Sequence, residues 1–269
     1  MVAAAQPGRA QRIVNIQGTQ SVARVVKILR VVAAHGADGA ALKDVVGATG
    51  LHRATAHRLL SALAGEGLLE RHPLLPRFRV GIELAALVQS GTPGADLKGI
   101  AAPSLDRLTA GTGCMLYLGV RSGYDGLCVD MRRPRRAQTP VRLHVNDRWP
   151  LGVGSFSMAL LAWLPDAEVA AVIRRNASRL KGQVAYGPQQ LARRVEETRR
   201  RGYALDCVAV YPGMSGVGVP VLDPYGRAAA SLCAVSAGTT IEARRLAQLV
   251  KDLQHEAQCI AGRWFGTDG

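Results

Sequence analysis

Residues 42–71, LKDVVGATGLHRATAHRLLSALAGEGLLER, decide the fold. Leu42, Val45 and Val46 fall on one side of a short helix. Thr49-Gly50 then makes a tight turn. Ala56, Leu59, Leu60 and Leu63 recur at i, i+3, i+4 and i+7, which predicts a helix from about His52 to Gly65. Two helices joined by so short a turn read as a helix-turn-helix. A rotation of about 100° per residue sets Ala54, His57, Arg58 and Ser61 opposite the apolar side. Arg53 and Thr55 flank that face near the helix start. A basic, hydroxyl-bearing face at a helix N-terminus suits phosphate and base-edge contacts. An ordinary solvated face carries the same residue types.

Upstream, Val22, Val25, Val26, Leu29, Val32 and Ala33 form an apolar helical stripe that begins near Thr19. His35-Gly36 and Asp38-Gly39 end it. Residues 1–18 are small, polar and basic and are expected to form a disordered arm. Downstream, residues 68–71 and 78–80 predict two short strands around a proline-containing tip, His72 to Arg77. Three helices followed by a hairpin predict a winged helix-turn-helix over 19–81. Arg77, at the foot of the tip, joins the candidate DNA-contacting residues.

Residues 82–90, IELAALVQS, continue as a short helix that Gly91-Thr92-Pro93-Gly94 break, so 82–95 reads as a linker helix. Over 96–269 helices and strands mix without strict alternation. Helices are expected at 96–110, 155–164, 166–180, 188–201 and 241–264. Strands are expected at 115–120, 126–131, 204–210, 217–222 and 228–235. Val141, Leu143 and Val145 alternate with Arg142, His144 and Asn146, which predicts a half-buried strand. The class is α+β with an antiparallel sheet.

The chain has 269 residues and a net charge of +14, with Lys plus Arg 34 and Asp plus Glu 20. That basicity points to a polyanionic partner, most often nucleic acid. An Arg-preferring codon composition gives the same number, since Arg outnumbers Lys by 29 to 5. Residues 1–90 hold 11 basic and 5 acidic side chains, and residues 91–269 hold 23 and 15. The cluster Arg132-Arg133-Pro134-Arg135-Arg136 reads as a solvated loop, with an anion site or a second DNA-facing patch as alternatives. Five scattered cysteines without a CxxC pair disfavour a zinc ribbon and suit a reducing cytoplasm. No apolar stretch is long enough to predict a membrane span or a signal peptide.

Enzyme signatures are weak. Gly152-Val153-Gly154 is half of a GxGxxG, with Ser157 where the third glycine belongs. GMSGV lacks the spacing of a nucleophile elbow. His52 and His57 do not share a helix face, which excludes an HExxH-type site. No catalytic residue, metal or cofactor is expected.

The sequence resembles the IclR family of transcriptional regulators from Gln20 onward. QSVARVVKILRVVA resembles the family's first helix, and residues 42–71 its helix-turn-helix, where a Thr and an Arg are usual at Thr55 and Arg58. FRVGIELAAL resembles the wing's return strand and linker. WPLGVGSFSMALLAWLP, and RRRGYALD with GVGVPVLDPYGRAAASL, resemble the segments that shape its effector domain. The resemblance implies a GAF/profilin-like effector-binding and oligomerisation domain over 96–269, dimers or tetramers, and a small organic effector, often a carboxylic acid. It also implies that the effector pocket falls on Val141, Leu143, Ser155, Phe156, Asp206, Gly216, Cys233 and Val235. The family commonly has polar or thiol side chains at Gly216 and hydroxyls at Cys233 and Val235. Their absence favours a larger or aromatic ligand over a small, very polar acid.

The residues support that placement chemically. Val141, Leu143, Phe156 and Val235 offer an apolar lining, Ser155 and Asp206 offer hydrogen bonds, and the glycines of GVG and GMSGVG expose backbone N–H groups. Plain turns and a capping Asp206 would use the same residues. The expected function is a ligand-responsive regulator of a catabolic pathway, repressor or activator, that binds double-stranded operator DNA as a homo-oligomer in the cytoplasm. The alternatives are a GAF-like small-molecule enzyme with an accessory basic domain, and an architectural DNA-binding protein.

Overall fold

The computed structural model describes residues 19–91, 96–135, 143–181, 186–207, 213–238 and 240–266. The chain divides into two compact units between Ala95 and Asp96. The arm predicted over 1–18, Val141, residues 208–210 of a predicted strand and residues 92–95 of the linker lie outside the described residues.

In the N-terminal unit, α1 spans Gln20–Ala34, α2 Leu42–Thr49 and α3 Arg53–Gly65. Strands β2 (Leu69–Arg71) and β3 (Arg77–Val80) form the wing, and β1 (Ala40–Ala41) pairs with β3, giving the order β1-β3-β2. Helix α4 follows at Ile82–Gly91. Gly50 ends α2 at φ 68°, where a Cβ would be strained, and this lets the chain turn into α3. The Nζ of Lys27 on α1 donates to the Thr49 carbonyl at 2.8 Å, so α1 helps to cap α2. Ile28, Val32, Val45, Ala56, Leu60 and Phe78 close the core.

Two features differ from expectation here. The buried stripe of α1 centres on Ile28 and Val32, whereas Val22 is 63% exposed and Val26 37%. Valine spacing alone identified the helix but misplaced its inner face, because Ile28 was left out of the stripe. Strand β1, of only two residues, is too short to show a sequence period.

The C-terminal unit is a six-stranded antiparallel sheet in the order β6-β5-β4-β9-β8-β7. The strands are β4 Met115–Ser122, β5 Asp125–Arg132, β6 Arg148–Pro150, β7 Ala204–Cys207, β8 Met214–Leu222 and β9 Ala228–Ala237. Helices α5 (Leu97–Thr112) and α9 (Ala243–Phe265) bury one face through Leu116, Leu118, Val217, Val219 and Leu232. Helices α6 (Gly154–Ala162), α7 (Asp166–Asn176) and α8 (Pro188–Arg201) belong to the core on the other face, with Met115, Tyr117 and Cys233. Both faces of the central strands are covered, so β8 and β9 read as apolar runs and not as alternating ones.

The strand predicted around 141–145 is not a strand in its described part. Leu143 is buried but Val145 is 37% exposed, although two residues of equal parity would share a face in a strand. The Asp147 carboxylate accepts the His144 N–H at 2.7 Å and Asn146 adopts φ 75°, so the segment turns. The edge strand comes three residues later, as β6. The basic cluster is also only partly solvated. Arg132 spans Asp106 and Asp130 at 2.6 and 2.8 Å, and Arg136 lies outside the described residues.

Helix α6 touches the sheet because strand positions beneath it lack side chains. A methyl on Gly119 would fall within the Phe156 ring, and one on Gly126 would lie 2.8 Å from it. A methyl on Gly218 would collide with the Ser155 carbonyl. Gly218→Ala should therefore destabilise the C-terminal unit by about 1–3 kcal/mol, the usual cost of overpacking. Gly111→Ala, near the end of α5 with open space around it, should be neutral or stabilising by up to about 1 kcal/mol. Trp149, Trp163 and Trp264 all lie in this unit, so denaturant titration followed by tryptophan fluorescence measures both effects.

Candidate DNA-reading helix and effector site

In the N-terminal unit the candidate residues gather on one helix. His52 caps α3, its Nδ1 accepting the Ala54 N–H at 3.4 Å. Arg53, Ala54, His57 and Arg58 are exposed and line one shallow concavity with Leu42 and His52. Thr55 and Ser61 are half-buried, and Ser61 Oγ accepts from Arg71 at 3.3 Å. Arg77 is half-buried, and its Nη1 donates to the Gly39 carbonyl at 3.1 Å. It secures the wing to the turn before β1.

In the C-terminal unit the predicted pocket residues fall into two groups. Asp206, Gly216 and Val235 pair directly across β7, β8 and β9 and so share one face. The N-terminal turn of α6 lies on this face. Ser155 Oγ takes the place a Gly216 side chain would fill and stands 3.1 Å from Cys233 Sγ. Leu143 and Phe156 belong to the same apolar cluster, and the Phe156 ring rests on Gly119 and Gly126. The glycines of β8 thus serve helix packing, and their N–H groups lie within strand ladders on both sides. Their predicted role of offering N–H groups to a ligand gives way to that one.

Two partners of Asp206 escaped the sequence reading. The Tyr186 hydroxyl donates to Asp206 Oδ2 at 3.2 Å, and Arg194 Nη2 stands 3.5 Å from the same oxygen. The Arg194 guanidinium also lies over the Tyr186 ring, 5.2 Å from its centre. Burial, helped by Asp206, raises the pKa of Tyr186 above its ordinary value and keeps the hydroxyl a donor. Arg194 did carry a signal. It stands three residues after Leu191 and four before Thr198, on the buried stripe of α8. Tyr186 carried none.

Arg199, in the RRRGYALD stretch, donates to the carbonyls of Ala162 and Leu164 at 2.6 and 2.8 Å and pairs with Asp166. It therefore ties α8 to the C-terminal end of α6. Among the described residues no group of three or more His, Cys, Asp or Glu could hold a metal, and no helix is long and apolar enough to cross a membrane.

Residues 90–261 match the family model for the bacterial transcriptional regulator IclR C-terminal domain, and residues 21–73 match the IclR helix-turn-helix domain. The chain belongs to the IclR family. It is a transcriptional regulator with a DNA-binding helix-turn-helix, and the proteins it matches are regulators, not enzymes. It is 26% identical to the HTH-type transcriptional regulator XynR of Escherichia coli (strain K12), over 90% of this chain and 96% of that one. It is 30% identical to the glycerol operon regulatory protein of Streptomyces griseus, over 78% and 80%. Among solved structures, an IclR transcriptional regulator from Alicyclobacillus acidocaldarius matches with a TM-score of 0.72 at 22% identity, covering 92% of this chain and 99% of that one. An IclR homolog from Microbacterium hydrocarbonoxydans, complexed with 4-hydroxybenzoate, matches with a TM-score of 0.69 at 24% identity, covering 89% and 97%. The α+β architecture of this IclR-family chain is thus shared across the family.

The buried thiols are poorly suited to nucleophilic chemistry. Desolvation pushes both Cys128 and Cys233 up to about 12. At pH 8 such a thiol stays protonated and is a poor nucleophile. Iodoacetamide should label half-buried Cys259 well before Cys128 or Cys233, and equal labelling of the three in native protein would contradict this. Both folded values exceed the ordinary 9.0, so unfolding above pH 9 releases protons that the folded thiols keep. The stability they contribute is complete below about pH 9 and declines as pH rises toward 12. An alkaline series of unfolding curves should show the decline.

Proposed function

We propose that the protein is an effector-controlled regulator of a catabolic pathway. In this reading α3 reads double-stranded operator DNA, and the C-terminal unit binds a small organic acid and joins copies of the chain into a homodimer or homotetramer. The observation that carries the DNA half is the exposed run Arg53, Ala54, His57 and Arg58 on a capped helix that contains no acidic residue. Arg53 and His57 are assigned to base edges. Thr55 and Arg58 are assigned to phosphates, with Ser61 and Arg77 at the margin. A dimer would read a pseudo-palindrome.

The observation that supports the effector half is the cluster Ser155, Cys233, Asp206, Tyr186 and Arg194 beside the apolar side chains Leu143, Phe156 and Val235. Val141 completes the assigned lining. Arg194 beside Asp206 answers an electrostatic difficulty. A bare carboxylate would repel an acid ligand, whereas one facing a guanidinium leaves the site near neutral. The apolar lining suits an aromatic or larger aliphatic carboxylic acid. Its binding would favour one arrangement of the paired DNA-binding units over another. Where the protein works follows from the same reading: the DNA of the cytoplasm.

Affinity for duplex DNA should fall linearly with salt on logarithmic axes, because Arg and Lys release condensed counterions. Arg58→Ala should weaken specific and random duplexes alike and lower the salt slope by about one. Arg53→Ala should narrow the gap between them by about 1–3 kcal/mol. Anisotropy titrations at several salt concentrations check both, and a wild-type slope in Arg58→Ala would remove α3 from the interface.

A thermal-shift screen of 4-hydroxybenzoate and other aromatic and aliphatic carboxylic acids should find ligands that raise Tm by linkage. For a ligand so found that carries a hydroxyl able to donate to Asp206, as 4-hydroxybenzoate does, Asp206→Ala should weaken binding about ten- to a hundredfold, the usual range for a hydrogen bond to a charged group. DNA binding without ligand should be unchanged. A folded Asp206→Ala protein with wild-type ligand affinity would place Asp206 outside the site.

A further inference from the structure

The wing carries an exposed apolar tip. In the sequence His72-Pro73-Leu74-Leu75-Pro76-Arg77, Leu74 is 87% exposed and Leu75 48%. Exposed pairs of leucines at a tight turn are not needed for folding, since the core of this unit closes without them. The tip is also stiff. Two prolines fix their own φ angles. His72 Nδ1 accepts the N–H groups of both Leu74 and Leu75 at 3.2 Å, the His72 N–H donates to Arg77 O at 2.8 Å, and the Arg77 N–H donates to Leu75 O at 2.7 Å. Both leucine amides are thereby used inside the turn. The tip presents apolar side chains to its surroundings and has no leucine N–H left to grip a phosphate.

The tip is held in a fixed relation to α3. Arg71 packs its guanidinium over the Phe78 ring at 5.1 Å and donates to Ser61 Oγ on α3 at 3.3 Å. Arg77 holds the opposite strand to the Gly39 carbonyl. A rigid apolar knob flanked by arginines, on the unit that carries the basic helix face, fits one partner: the duplex that α3 reads. Apolar side chains inserted into a minor groove partly unstack a base step and kink the duplex.

We propose that Leu74 and Leu75 form a wedge that enters the minor groove beside the site read by α3 and kinks the duplex. This rests on the DNA-reading assignment of α3. The kink supplies indirect readout, favouring operators with an easily unstacked pyrimidine–purine step at the wedge.

The test uses the full chain and a short duplex enriched by the wild-type protein from a random library, labelled at both ends for energy transfer. Wild-type binding should bend the duplex by about 20–90°, the range of known wedges. Leu74→Ser with Leu75→Ser should leave the duplex nearly straight and weaken binding about tenfold, with an unchanged melting curve because both side chains are exposed. Leu74→Met with Leu75→Met keeps an apolar wedge and should keep the bend. A straight duplex with wild-type protein overturns the proposal, as does an undiminished bend in the serine variant. So does a serine variant that changes only the oligomeric state in sedimentation, which would assign the leucines to a second copy of the chain. Arg58→Ala, measured on the same duplex, reports separately on α3. Loss of affinity there with the bend insensitive to serine rejects the wedge and retains the recognition helix. Failure of the wild-type protein to enrich any duplex overturns both.

Discussion

The C-terminal unit depends on one close approach, the N-terminal turn of α6 lying directly on the sheet. Four glycines make it possible: Gly119 and Gly126 beneath the Phe156 ring, and Gly216 and Gly218 beneath Ser155. With side chains there the helix would stand farther off, and Ser155 could not reach Cys233. The Ser231 hydroxyl also donates to the Phe156 carbonyl at 3.0 Å, and Arg199 holds the other end of α6. The helix is thus fixed at both ends, in a unit whose interior tolerates little change of volume. A site built against such a helix is preorganised, and a ligand there would bias α6 and β7 together.

The two candidate sites use charge in different ways. On α3 the basic groups are exposed, where they can exchange water and counterions for phosphate. Beside β7 a carboxylate, a guanidinium and a phenol are mutually satisfied and largely buried. Removing any one of these leaves the others short of a partner, which costs more than the interaction itself contributes. The cluster can therefore hold its shape while presenting a nearly neutral polar surface to a ligand.

Much of the fold was legible in sequence because its helices carry strong 3.6-residue periods. Helix α8 was placed at 188–201, as observed, since Leu191, Val195 and Thr198 mark its inner side and glycines bound it. The segment at 141–145 failed for a physical reason: five residues that alternate in polarity fit a strand and a tight turn equally well, and only the Asp147 capture of His144 decides between them. The inner face of α1 was misread for a related reason, since valines surround that helix and only packing selects Ile28. In the candidate effector site Gly216 and Cys233 are brought to one face by the pairing of β8 with β9, and Ser155 reaches them by the packing of α6 on that face. No local pattern reveals such a meeting, and none pointed to Tyr186, so that part came from family resemblance and not from periodicity.

Net charge alone would have misdirected the search for a nucleic-acid surface. The longer unit has the larger excess of basic residues, yet among the described residues at least seven of its arginines are committed to carboxylates: Arg107, Arg121, Arg132, Arg179, Arg193, Arg194 and Arg199. Arg107 makes a bidentate pair with Glu256 at 2.7 and 2.6 Å that joins α5 to α9 and holds the Glu256 carboxyl below its usual range. These cations are spent on internal order, and a phosphate would have to compete with a fixed carboxylate for each. Helix α3 contains no acidic residue, so Arg53 and Arg58 meet no carboxylate on their own helix. Where charges are left uncompensated, more than how many there are, marks the surface that a polyanion will meet.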